Sequence, residues 1–186
     1  MTVELSRIDL KQFKKVLPYL PDVEGWLGGS LHYVDSEGQM MLSADMNLDN
    51  FVYEKSPLGK WTMSGAYLPG DNNAHHVDGF ITYNDQEIIY MNGVYQADET
   101  GQENITGELE LQHFPLRVIN PFIPEKMVGF TGDIDGTLSM SGSPMKPVLN
   151  GGLQLDSVLM IMPDMSVGFR FDNKQVKMQD SKMVFD

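Results

Sequence analysis

The chain has no cysteine and no long apolar run. Without cysteine it can form no disulfide, no thiolate nucleophile and no zinc-thiolate site. No stretch reaches the roughly 18 apolar residues of a membrane-spanning helix, and the amino-terminal residues lack the charged and apolar regions of a secretory signal. If the protein is exported, we therefore expect this sequence to be a fragment of a longer one.

Basic residues are also few. The 13 Lys and Arg residues are outnumbered by 26 Asp and Glu residues, so the formal net charge is −13. A field of this sign repels nucleic-acid phosphates and anionic headgroups, and no basic stripe in the sequence counters it. Nucleic acid is therefore excluded as an expected partner.

The main positive feature of the sequence is the alternation of apolar and polar residues. It is clearest over residues 128–140 and recurs over 105–112 and 42–49. A period of two predicts strands with one apolar and one polar face. Turn signals rich in Gly, Asn, Asp and Pro separate such segments, and together they predict about a dozen short strands from residue 25 onward.

One short helix is predicted before these strands. Asp9 stands at a favourable N-cap position, Gln12 can complete a capping box, and Pro18 ends the helix. The predicted helix runs from about Leu10 to Leu17 and carries one apolar face. We expect that face to cover one end of a sheet.

A proline-rich segment divides the chain. Residues 114–124 include three prolines, which forbid a central strand and limit any helix to a turn near Leu116 to Asn120. We therefore predict two units, residues 1–113 with the helix and a strand meander, and residues 114–186 with the proline-rich segment and further strands. The two units are expected to continue into one another as one β body.

No residues form a complete catalytic or metal-binding pattern. His75 and His76 are adjacent in a strand, so they point to opposite faces and cannot easily share one ion. Asp133 and Asp135 lack the other ligands of a calcium loop. Residues 143–146 match a Ser-x-x-Lys string but form a proline turn, where the motif needs a helix. We expect no enzyme activity, no metal and no cofactor.

The one-sided strands leave open what covers their apolar faces. Two sheets packed face to face would form a β-sandwich, whereas a single sheet would need a foreign apolar molecule. The 14 methionines suit either a flexible core or a groove that adapts to varied apolar shapes. From the residues alone, both all-β arrangements remain possible.

Residues 114–155 resemble the carboxy-terminal region of the TamB family, the translocation and assembly module subunit. An apolar Phe-Pro-Leu segment and a proline-containing turn precede a Gly-x-x-Gly strand at 129–132. A Ser-Gly pair at 141–142, a proline turn at 144–147 and a strand at 152–155 follow in the family's order. Residues 8–31 are similar to the same family more loosely.

The resemblance implies a large envelope protein of diderm bacteria, related to AsmA-like and bridge-like lipid transfer proteins. Such a protein is anchored in the inner membrane by a helix outside this sequence and extends a periplasmic β body. That body is a curled, mostly antiparallel stack of strands, or β-taco, with an apolar groove. The family is associated with phospholipid transport and with outer-membrane protein assembly beside a barrel partner of the TamA or BamA type.

On this interpretation, the apolar side of the predicted strands contacts phospholipid acyl chains or nascent outer-membrane strands. The candidate groove residues are Ile105, Leu109, Leu111, Phe130, Ile134, Leu138, Met140, Leu153 and Leu155. The alternative function is a β-sandwich recognition module for a surface glycan or a protein, with projecting aromatic side chains as its binding residues. These aromatic residues are Trp26, Trp61, Tyr83, Tyr90 and Tyr95.

Overall fold

The structure is a computed structural model that describes residues 1–36, 39–97, 101–124 and 127–184. Its strands are β1 (Thr2–Asp9), β2 (Val23–Ser36), β3 (Gln39–Tyr53), β4 (Ser56–Pro69), β5 (Ala74–Tyr83), β6 (Gln86–Ala97), β7 (Glu103–Pro115), β8 (Gly129–Ser143), β9 (Lys146–Met162), β10 (Val167–Arg170), β11 (Gln175–Gln179) and β12 (Lys182–Val184). One α-helix, α1, spans Lys11–Val16, and 3₁₀ helices span Leu116–Phe122 and Pro163–Met165. The predicted all-β fold with a short helix is confirmed.

All twelve strands belong to one antiparallel sheet. From β1 to β9 each strand pairs with the next one in the chain, while β10 and β11 pair with successive parts of β9 and so share one position. The sheet is curled but not closed, and it is about 50 Å wide along its surface at the usual strand spacing. The predicted curled sheet is confirmed, and the chain does not form the two-sheet alternative.

The register places apolar residues in continuous rows on one face, which we call the inner face. One row crosses ten strands and contains Val3, Leu31, Ala44, Gly65, Gly79, Met91, Leu109, Leu138, Gly151 and Met178. The next row contains Leu5, Gly29, Met46, Met63, Ile81, Ile89, Leu111, Gly136, Leu153 and Val176. The row between them, on the outer face, includes Glu4, Ser30, Asp45, Ser64, Glu110, Thr137 and Lys177.

A line of irregularities crosses the sheet near the end that carries Leu116–Phe122. At most of the register shifts a residue adopts a positive φ, and these residues are Arg7, Gly25, Asn50, His113, Gly132 and Ser157. The shift between Ile81 and Thr82 has no such residue. The backbone amides that leave the ladder here find side-chain acceptors: His113 donates to Asp135 Oδ1 at 2.8 Å, and Ser157 donates to Asn173 Oδ1 at 3.1 Å. Because bulges increase strand twist and bending, this line accounts for the curl at this end.

Strand β1 was not predicted, and it changes the interpretation of the helix beside it. Ile8 and Asp9 pair with Leu27 and Trp26 as the last residues of β1. The N-cap of α1 is Leu10 and not the predicted Asp9, and no side chain caps the helix, although Asp9 Oδ1 accepts the Lys11 amide at 3.0 Å. α1 buries none of its own residues, and Val16 is 77% exposed. The helix therefore covers little of the sheet.

The proline-rich segment begins as strand and continues as a 3₁₀ helix. β7 extends to Pro115, and the 3₁₀ helix Leu116–Phe122 follows with Leu116 and Val118 buried. The sheet itself runs without interruption from β7 to β8. The division into two units remains a prediction, and the predicted turns at 35–38 and 98–101 lie partly outside the described residues.

Close strand contact at Gly107 gives a test of the fold. A Cβ added there would lie 2.8 Å from the Gly93 Cα and closer still to the Asn92 carbonyl oxygen. Gly107→Ala is therefore expected to lower the free energy of unfolding in urea by about 1–3 kcal/mol. The matched control is Gly129→Ala, where nothing lies within 4 Å of the added Cβ and the change should stay within about 0.5 kcal/mol. Equal effects at the two positions would contradict the described register.

Candidate functional site: an apolar groove

The predicted groove residues lie mainly in the half of the inner face that the protein itself covers. Ile134, Leu138, Leu153 and Leu155 are between 4% and 9% exposed and form one buried cluster with Leu116, Val158 and Val176. Leu109, Leu111 and Phe130 pack against this cluster. Ile105 and Met140 lie half-buried on the same face, outside the cluster. We call this part, around β7 to β9 and β11, the closed half.

The other half of the inner face, on β2 to β6, is open. Met63 and Met91 are 49% and 38% exposed even though their rows continue into the buried cluster. The whole chain exposes 12,320 Å², against about 9,000 Å² for a typical folded monomer of its mass. The open half contributes to this excess, because apolar surface that a second layer would normally bury faces solvent.

Two apolar cavities lie along the open half. The central cavity, of about 440 Å³, is lined mainly by Leu27, Met46, Leu48, Phe51, Trp61, Met63, Ile81, Val118, Ile119 and Phe122. The distal cavity, of about 230 Å³, is lined mainly by Leu42, Ala44, Met63, Gly65, Tyr67, Val77, Gly79, Ile81 and Met91. The two cavities share Met63 and Ile81, so they form one continuous groove.

The 3₁₀ helix Leu116–Phe122 forms a roof over one end of this groove. The Asn120 side chain donates to the Phe130 carbonyl and accepts the Phe130 amide, each at 2.8 Å, which fixes the segment to β8. At its other end, Phe122 contacts Tyr53 of β3 with ring centroids 4.5 Å apart. The segment thus bridges strands that are far apart in the sheet order, and this contact requires the sheet to curl.

A third, larger cavity lies at the roofed end. This mouth cavity measures about 740 Å³ and shares Leu58, Val118 and Phe122 with the central cavity. Unlike the central cavity, its lining includes the charged residues Lys55 and Arg117. The groove therefore changes from charged to apolar along its length.

Three described titratable groups have shifted pKa values, each caused mainly by a hydrogen bond to a carboxylate. A hydrogen bond to the Asp78 carboxylate raises the pKa of Tyr90, and one to Glu103 raises that of Tyr95. A hydrogen bond to Asp85 likewise raises the pKa of Lys60. These pairs are solvent-exposed and act on the stability of the scaffold, not on chemistry within the groove.

The aromatic residues considered for a recognition patch do not form one surface. Trp61 and Tyr83 lie together on the inner face, with ring centroids 4.9 Å apart. Tyr90 pairs with Glu110 and Phe80 on the outer face, and Tyr95 lies beside His75 near the opposite end of the sheet. Several apolar residues that line the groove were not among the predicted groove residues. They are Leu27, Leu48, Trp61, Met63, Val77, Ile81 and Met91.

Comparison of the chain with protein-family models, curated proteins and solved structures finds no match. The resemblance to the TamB family therefore remains a prediction from the sequence. None of the helices described is both long enough and apolar enough to cross a membrane.

The roof of the groove depends on Asn120, which gives a second test. Asn120→Ala leaves the amide and the carbonyl of Phe130 without their partners, so we expect a loss of about 2–3 kcal/mol in the free energy of unfolding. Urea denaturation followed by tryptophan fluorescence measures it. The exposed Asn104 on β7 serves as the control, and Asn104→Ala should change stability by less than about 0.5 kcal/mol. An Asn120→Ala protein as stable as this control would show that the segment is held by other contacts.

Proposed function

We propose that this chain is a non-enzymatic segment of a cell-envelope protein whose groove carries phospholipid acyl chains. The observation that carries the proposal is the continuous apolar face that the chain leaves uncovered on β2 to β6, with its two connected apolar cavities. Exposure of such a face to water is unfavourable, and the free energy falls when an apolar guest replaces the water.

The dimensions of the groove suit an acyl chain. Leu58, Trp61, Met63, Gly65 and Tyr67 of β4 all line the cavities, and at the usual rise per residue they span about 30 Å. The hydrocarbon core of a bilayer is about 30 Å thick, so a single chain in one leaflet extends about 15 Å. The groove can therefore hold a complete acyl chain along its axis.

The lining favours movement over tight recognition. Each buried CH₂ group contributes about 0.8 kcal/mol relative to water, but a bilayer offers the same chain a similar gain, so exchange between membrane and groove is nearly balanced. Met46 and Met63 on neighbouring strands supply flexible and polarizable contacts that fit chains of different shape. A groove of this kind would conduct many phospholipids without selecting one.

The cellular setting is proposed from the sequence resemblance together with the fold. A curled, open antiparallel sheet with an apolar groove is what resemblance to the TamB family implies, and that agreement supports the proposal. On this basis the chain would lie in the periplasm of a diderm bacterium, as part of a protein anchored in the inner membrane outside this sequence. It would work beside an outer-membrane barrel partner of the TamA or BamA type.

The sheet edges give less support to a role in pairing with nascent outer-membrane strands. β1 carries Glu4 and a bulge at Arg7, and β12 has only three residues. Charged, bulged or short edge strands resist addition of another strand. We therefore assign the proposed contact to the inner face, and assembly of outer-membrane proteins remains a secondary hypothesis.

Site-specific photo-crosslinking tests this function. A photoreactive amino acid at Met63 or Met91, which are exposed within the groove, is expected to capture phospholipid after irradiation in cells, detected by mass spectrometry of the purified protein. The control position is Asn92, next to Met91 but on the outer face. Phospholipid captured equally at Asn92, or absent from both groove positions, would refute the proposal.

A further inference from the structure

Basic residues that are scattered in the sequence gather at the roofed end of the sheet. They are Arg7, Lys11, Lys14, Lys15, Lys55, Lys60 and Arg117. Carboxylates pair with three of them: Lys11 with Glu24 at 2.9 Å, Lys14 with Asp22, and Lys60 with Asp85 at 2.6 Å. No basic stripe is visible in the sequence, because the strands, turn and helices that carry these residues are brought together only by the meander.

Two of the remaining cations, Lys55 and Arg117, line the mouth cavity. Within the part of the chain that the structure describes, neither forms an ion pair. Arg117 lies over the Tyr83 ring at 5.9 Å, a contact that leaves the donors of its guanidinium available to an oxygen ligand. Among the described residues, two cations that form no ion pair therefore border the space where the apolar groove begins.

A carboxylate shares the mouth cavity with these two cations. Glu54 also lines the cavity, and its Oε1 accepts the Asp22 amide at 2.8 Å, so among the described lining residues two cations stand against one carboxylate. Glu54 and Lys55 form a two-residue turn in which both residues are left-handed, with φ of 45° and 69°. Asn, Asp or Gly is favoured in such turns, as in the equivalent turn at Asn84 and Asp85. Lys55 therefore adopts a backbone conformation that is unfavourable for its residue type, a kind of strain that is often found at binding sites.

The overall negative charge does not prevent an anion from binding here. Lys55 and Asp71 lie in the turns at opposite ends of β4, which has 14 residues and extends about 45 Å at the usual rise. The Debye length at physiological ionic strength is about 8 Å, so acidic groups at the far end are screened. The local sign of charge at the mouth decides what binds there.

We propose that the mouth cavity binds the phosphate of a phospholipid headgroup through Lys55 and Arg117 while the acyl chains occupy the central and distal cavities. This inference rests on the proposed function and adds an orientation to it. The headgroup lies at the roofed end, and the acyl chains point toward the end of β4 that carries Tyr67. A phospholipid fits better than a fatty acid, because a cavity of about 740 Å³ accommodates a glycerophosphate group and greatly exceeds a single carboxylate.

Binding of labelled lipids to the purified chain tests the headgroup site. The probes are phosphatidylglycerol and diacylglycerol carrying the same fluorescent acyl chain, with labelled oleate as a third probe. The chain should bind phosphatidylglycerol more tightly than diacylglycerol, by about fivefold for each partly solvated cation, and the preference should shrink at high salt. Lys55→Gln with Arg117→Gln should remove the preference and leave diacylglycerol binding unchanged.

The matched control changes the same number of charges at the opposite end. Lys146 and Lys182 are exposed there, and Lys146→Gln with Lys182→Gln should retain the preference for phosphatidylglycerol. A further variant, Lys55→Asn, should raise the urea midpoint, because Asn tolerates the left-handed conformation, and should still weaken phosphatidylglycerol binding. A higher urea midpoint together with weaker phosphatidylglycerol binding would show that Lys55 acts in binding and not in stabilising the turn.

The outcomes distinguish this inference from the proposed function. Equal binding of phosphatidylglycerol and diacylglycerol would overturn the headgroup site and leave the acyl-chain groove in place. Failure of both lipids to bind would overturn the proposed function, and the inference with it. A preference for oleate as strong as that for phosphatidylglycerol, lost in the double variant, would overturn the assignment to a phosphate.

Discussion

The register of the antiparallel ladder is the constraint on which the rest of the structure depends. Each strand alternates apolar and polar residues, and the pairing keeps the apolar set of nearly every strand on the inner face. A slip of one residue between two strands would reverse the faces of all strands beyond it. Where a strand gains an extra residue, as between Leu5 and Ile8 or between Leu111 and Phe114, a bulge absorbs it and returns the next apolar residue to the inner face.

Those bulges also explain why the two halves of the inner face differ. They bend the sheet near the end that carries Leu116–Phe122, and the 3₁₀ helix can then reach from Phe130 on β8 to Tyr53 on β3. On the side of β7 to β9, Leu116 and Val176 close the inner face into a core. On the side of β2 to β6 no described segment lies over most of the face, and the cavities remain. One short segment thus sets the boundary between core and groove.

The sequence predicted the local pattern well and the long-range arrangement less well. Alternation identified the strands and their faces, because the period of two is a property of each strand alone. It could not distinguish Ile134, which the chain buries, from Met63, which it leaves exposed, since both occupy inward positions and only the curl separates them. The bulges at Arg7 and Ser157 were missed because these residue types carry no signal for a left-handed backbone. The charge cluster at the mouth was missed because it assembles from turns distant in sequence.

An incompletely covered sheet must balance its own stability against the space it keeps for a guest. Among the residues that the structure describes, ten hydrophobic side chains are buried, most of them in the closed half or under the roof. Much of the scaffold therefore depends on ladder hydrogen bonds and cross-strand packing, which a long hairpin meander forms between neighbours in sequence. A ligand that occupies the open half binds only the folded sheet, so it stabilises that sheet by mass action. If that half were filled with the chain's own side chains, the protein would gain stability and lose the groove. On the proposed function, the exposed Met63 and Met91 are part of the surface that an acyl chain would cover.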